Sequence, residues 1–229
     1  MGQGPLQAGS PLRTPRAAAV AGIVFSVLLI SALVLLRLSV PARTGVAGEW
    51  LTDSRRRAAV VIALNLVPFA GIAFLWFIGV IRDRIGGRED RFFGTVFLGS
   101  GFLFVGMLFV AAAIGGGLIA AAASLRSGPS AAGTLAQGRS VTSILLNVYA
   151  MRMAAVFTLT TVNIARRTGI VSRWLALAGL AVALMLLVGV GISAWVELLF
   201  LAWILALSLD ILVAGPGASP GTTAPAAQA

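Results

Sequence analysis

Few side chains in this sequence could do chemistry, and Arg152 is the foremost of them. It lies at the centre of an apolar run over 141–164, 11 residues from Val141 and 12 from Ile164. If that run crosses a membrane, a mid-span Arg costs about 2.5–3.5 kcal/mol on insertion scales. Such a group should face protein, water or a counter-charge. At helical spacing Tyr149, Arg152, Val156, Thr160 and Asn163 fall on one mixed-polar stripe. The stripe is expected to line a bundle interior, as an anion or headgroup site or part of a polar pathway. The plainer alternative is a structural Arg bonded to helix carbonyls or to Glu197.

Glu197 and Asp210 are the acids within apolar runs. Glu197 stands near the side where 141–164 begins, so it could meet Arg152. Asp210 stands near the other end, within reach of an Arg in the loops there. They are 13 residues apart, about 20 Å on a helix, too far for direct proton exchange. Asn65 and Pro68 interrupt the run over 58–81 and form a candidate hinge. Proline cannot donate to its own helix and crowds the carbonyl of Leu64, while Asn65 could bond across to another helix.

What is missing excludes more. There is no Cys and no His, which removes disulfides, thiolate nucleophiles, zinc sites and imidazole catalysis. Seven acidic residues are too few for a carboxylate cage. The loop over 82–91 alternates Arg with Asp or Glu around Gly86-Gly87. It lacks the phosphate-loop pattern and a preceding strand, so it reads as a salt-bridged turn at lipid headgroups. No catalytic constellation, metal site or cofactor site emerges.

The elements that must hold these residues follow from composition. Of 229 residues 59% are hydrophobic and 10% charged, with a mean hydropathy of +1.01. Soluble domains carry about 25% charged residues, so this chain cannot cover a water-facing surface. It reads as a membrane protein. All 17 basic residues are Arg, which with the many Ala and Gly suggests a GC-rich bacterial genome. The net charge of +10 gathers at the ends of apolar runs as anchors and topology signals, so no nucleic-acid partner is expected.

The expected fold class is all-α, a polytopic transmembrane bundle of six helices over 17–36, 58–81, 92–123, 141–164, 174–190 and 195–213. Residues 1–16 read as a disordered basic tail and 214–229 as a second disordered tail. The first run is too long for a signal-peptide core of about 7–15 residues. The third, about 48 Å as a helix against a hydrocarbon core of about 30 Å, must tilt, protrude or break at Gly115-Gly116-Gly117. Residues 124–140 read as a loop. Asp53-Ser54 reads as a helix cap. Small residues four apart, Ala111 with Gly115 for one, permit close helix packing. The short loops 82–91 and 165–173 are Arg-dense, which puts both termini in the cytoplasm. The cluster Arg55-Arg56-Arg57 argues the other way.

The segment 166–179, Arg-Arg-Thr-Gly-Ile-Val-Ser-Arg-Trp-Leu-Ala-Leu-Ala-Gly, resembles a turn and helix start in bacterial multi-pass proteins grouped as a domain of unknown function. The stretch 65–106, with Phe92-Phe93-Gly94, resembles actinobacterial membrane proteins of that kind. The resemblance implies about six spans and a bacterial plasma membrane, and carries over no activity. Three roles remain open: a non-enzymatic membrane partner or scaffold, a small-solute transporter or channel built around Arg152, and a lipid-acting enzyme. The first is favoured, with the lipid bilayer and a membrane-protein partner or second copy as contacts.

Overall fold

The computed structural model describes residues 14–40, 53–85, 91–124, 129–168, 172–189 and 195–213. They form α1 (Thr14–Ser39), α2 (Ser54–Ile85), α3 (Arg91–Ser124), a composite α4, α5 (Arg173–Val188) and α6 (Val196–Val213). α4 is α-helical over Pro129–Ile144, π-helical over Leu145–Ala150 and α-helical again over Met151–Thr168. No strand occurs among the described residues. Five of the helices are long and apolar enough to cross a membrane, and α5 is a shorter apolar helix. The architecture is an all-helical bundle. The 1–13 part of the N-terminal tail, the tail over 214–229, Gly86–Asp90 in the charged loop and 190–194 lie outside the described residues.

Local chemistry sets the helix starts. The Asp53 carboxylate accepts from the backbone N–H of Arg55 at 2.9 Å and of Arg56 at 3.4 Å, satisfying first-turn donors of α2. Ser172 caps α5 in the same way through the N–H of Leu175.

One stretch departs from the sequence expectation, and a second settles between its alternatives. The loop expected over 124–140 is helical from Pro129 onward. It has no apolar periodicity, so it looks like a linker. Proline suits a first helical turn, and Gly138 lets this part of α4 lie close against Leu118 of α3. α3 runs unbroken for 34 residues through Gly115-Gly116-Gly117, about 51 Å. It therefore exceeds a hydrocarbon core of about 30 Å, and its C-terminal part packs against the polar start of α4.

α1 packs on α2 and α6, α2 on α3, and α3 on α4, while α5 lies in the seam between α4 and α6. Seven fully buried phenylalanines fill the centre: Phe25, Phe74, Phe77, Phe97, Phe104, Phe157 and Phe200. Phe74 is the hub, with ring centroids 4.5 Å from Phe25, 5.0 Å from Phe157 and 5.3 Å from Phe104. Most of these pairs are tilted or edge-to-face, the favoured arrangements. Glycines bring the backbones close where rings meet. A side chain at Gly22 would strike the Ser208 hydroxyl and the Phe77 ring, and one at Gly101 would strike Ile78 and Phe157.

The buried threonine hydroxyls of α4 are satisfied within their own helix, whereas the buried Ser26 hydroxyl of α1 has no partner among the described residues. Thr158 donates to the Ala154 carbonyl, Thr161 to Phe157, and Thr160 to Val156 and Phe157. In an apolar medium such local bonds replace water. The α5–α6 contact adds a bond between helices, Trp203 Nε1 donating to the Leu175 carbonyl at 3.1 Å.

Candidate functional site

The residues expected to share one inward stripe do not stay together. Thr160 is buried and Asn163 half-buried, but Tyr149 and Arg152 are exposed on the bundle perimeter. The π-helical turn explains the failure for Tyr149. It lies in the wider i→i+5 turn, so a 3.6-residue wheel loses phase across it. Below the turn, Ala154, Ala155, Phe157 and Thr158 take the core-facing positions, which leaves Arg152 pointing outward. Along the helix it is 14 residues, about 21 Å, from Arg166 near the end of α4.

Glu197 does not meet Arg152. Its Oε2 lies 3.4 Å from Nη2 of Arg37, at the end of α1. The Glu197 side chain is 7% exposed and that of Arg37 30%. The Arg37 guanidinium also sits 5.6 Å from the ring centroid of Trp195, within cation–π range. Arg37 is the member of this cluster that sequence reasoning missed, having counted only as a topology charge. The available signal was that Arg37, Trp195 and Glu197 all stand at span ends on one side of the membrane.

Beside this pair is a cleft lined by Leu29, Leu33, Phe104, Leu108, Leu146, Met151, Glu197, Phe200 and Leu201. Its empty space, open surroundings included, is about 280 Å3, and the room it leaves for the centre of a water-sized molecule is about 20 Å3. That room suits about one water molecule. α1, α3, α4 and α6 form its walls, and the π-helical turn supplies Leu146. Glu197 is its one charged lining residue.

The hinge residues lie on the surface. Asn65 and Pro68 are both exposed, and α2 continues through them to Ile85. Asn65 Nδ2 donates to the Val61 carbonyl at 2.8 Å within its own helix, not across to a neighbour. A local carbonyl is the nearest acceptor for an amide facing away from the bundle. Asp210 is half-buried near the end of α6. Among the described residues no group of three His, Cys, Asp or Glu could hold a metal ion.

No protein family, curated protein or solved structure matches this chain. Its chemistry is read from the geometry alone.

Proposed function

We propose that this chain is a non-enzymatic integral membrane subunit that packs against another membrane protein. The observation that supports this reading is the closed phenylalanine core. Rings from α1, α2, α3, α4 and α6 meet at the centre, and the buried threonines of α4 spend their hydrogen bonds on their own helix. A polar route through the bundle has nowhere to run in this packing. Arg152 and Tyr149, the polar groups a central route would need, are turned outward instead. An outward Arg carries a desolvation cost that a neighbouring carboxylate would relieve. The alternative of a transporter or channel centred on Arg152 needs that residue inside the bundle, so the closed core weighs against it.

The setting that fits is a bacterial plasma membrane with both termini cytoplasmic. The helix ends with Arg16, Arg82, Arg166 and Arg173 would then face the cytoplasm, as the positive-inside rule favours.

Crosslinking in native membranes, followed by purification and mass spectrometry, tests the reading. A foreign membrane protein at fixed stoichiometry is expected, and Arg152→Leu should release it without lowering abundance. Recovery of the chain alone in every preparation sinks the proposal.

A further inference from the structure

We infer that the cleft beside Arg37 and Glu197 is a binding site for one phospholipid, with an acyl chain among the leucines and the phosphate on Arg37. This site is independent of any protein partner on the perimeter.

The lining sets the first part of the argument. Leu29, Leu33, Leu108, Leu146, Met151 and Leu201 give the cleft an aliphatic wall. Only about 20 Å3 of it admits water-sized groups, far below the roughly 300–1,000 Å3 of pockets that enclose drug-sized ligands, so an occupant lies along the open groove and not inside a cavity. A compact polar solute finds neither the room nor the donors. A flexible alkyl segment laid along the groove meets an aliphatic surface of its own chemistry. Met151 has a side chain with three rotatable bonds that adapts to irregular shapes.

The direction of the cleft sets the second part. Leu33 and Leu29 lie one and two turns before Arg37 on α1, about 6 and 12 Å along the helix. Phe104 and Phe200 belong to the aromatic core and line the cleft on that side. The cleft thus runs from a charged rim down into an apolar slot, the polarity order of a phospholipid. Arg37 and the exposed Trp195 are the residue types that mark the headgroup level.

The rim chemistry selects the headgroup. Arg37 contacts Glu197 through Nη2, and a guanidinium has five N–H donors. Its remaining donors are partly exposed and suit the fork geometry of a phosphate. Glu197 and the Trp195 ring hold the guanidinium in place, which limits the entropy lost on binding.

The test uses the purified full-length chain, delipidated in detergent and titrated with palmitoyl-oleoyl-phosphatidylglycerol. Native mass spectrometry counts the bound lipids. One lipid is expected to bind ahead of the rest and more tightly than the matching diacylglycerol, which lacks the phosphate. Leu33→Trp and Leu146→Trp should each weaken that first lipid about tenfold or more by filling the slot. Arg37→Gln should bring the phospholipid down to the level of the diacylglycerol. Leu177→Trp, on the exposed face of α5, should change nothing. For a reading that needs no slot-filling variant, phosphatidylglycerol brominated on its acyl chain should quench Trp195 fluorescence, taken as the difference from Trp195→Phe. Binding with no preferred first lipid overturns the site, as does equal affinity for the diacylglycerol. So does wild-type affinity in a Leu146→Trp protein with native circular dichroism.

Discussion

Arg37 and Glu197 lie at opposite ends of the sequence and meet at 3.4 Å, joining the last turn of α1 to the first turn of α6. The two partners are unequally buried, at 30% and 7% side-chain exposure. That asymmetry decides what breaking the pair does. Arg37→Ala strands a buried carboxylate, whereas Glu197→Ala frees a cation that can turn toward the headgroups. Removing one member of a fully buried pair costs about 3–5 kcal/mol. Here the partial exposure of Arg37 reduces the figure to about 1–3 kcal/mol. Arg37→Ala should be the more damaging single change, and the Arg37→Ala, Glu197→Ala double variant should be more stable than Arg37→Ala alone. Unfolding in mild detergent across the four proteins reads the cycle. A double variant as unstable as the sum of the singles would show that the two residues do not interact.

The fold class was legible because a membrane imposes one rule, that each spanning backbone satisfies itself. Long apolar runs with Arg at their ends can then be little else than helices. The N-terminal half of α4 was not legible, since it has no apolar face. It is helical through Pro129, small residues and contact with α3. The outward turn of Tyr149 was hidden for another reason: it depends on a π-helical turn that no residue pattern announces. Glu197 could be picked out as an intramembrane acid, but its partner could not, because helix order around the bundle decides that α6 packs on α1.

Phe74 touches Phe25, Phe77, Phe104, Phe157 and Phe200, so Phe74→Ala opens a cavity at the meeting point of five helices. In a membrane the transfer contribution is small, because lipid tails are as apolar as the core. The cavity contribution remains, at about 24 cal/mol per Å3. A lost phenyl ring should therefore cost about 2 kcal/mol or more. Phe92→Ala, at an exposed position, should cost little. Thermal unfolding of both variants gives the comparison, and equal loss would mean the ring cluster is not the core of stability.

Gly22 and Gly106 separate close approach from simple helix propensity. A Cβ at Gly22 meets the Ser208 hydroxyl and the Phe77 ring, whereas one at Gly106 meets open space. Gly22→Val should overpack the α1–α6 contact and cost about 1–3 kcal/mol. Gly106→Ala should be neutral or stabilise by up to about 1 kcal/mol, by removing backbone freedom from the unfolded chain. Melting temperatures in one detergent settle the order, and a destabilising Gly106→Ala would point to a neighbour against α3 in the assembled protein.

Arg152 makes the sharpest contrast between insertion and assembly. It is exposed on α4 beside Tyr149. Among the described residues the other in-span acid, Asp210, stands near the far end of α6, and Glu197 is held by Arg37. Nothing in the described chain offsets the guanidinium. Arg152→Leu should therefore improve membrane insertion of this span, by up to about 2.5–3.5 kcal/mol on the insertion scale. Glycosylation mapping of the span in microsomes measures that gain directly. Arg152→Lys should insert about as poorly as the parent, since both are cations, yet fail where a planar two-donor contact to a carboxylate is needed. Better insertion of the Leu variant together with loss of a stoichiometric neighbour would assign Arg152 to assembly. Better insertion with the neighbour retained would leave Arg152 as an anchor at the lipid surface and remove the main polar contact from the subunit reading.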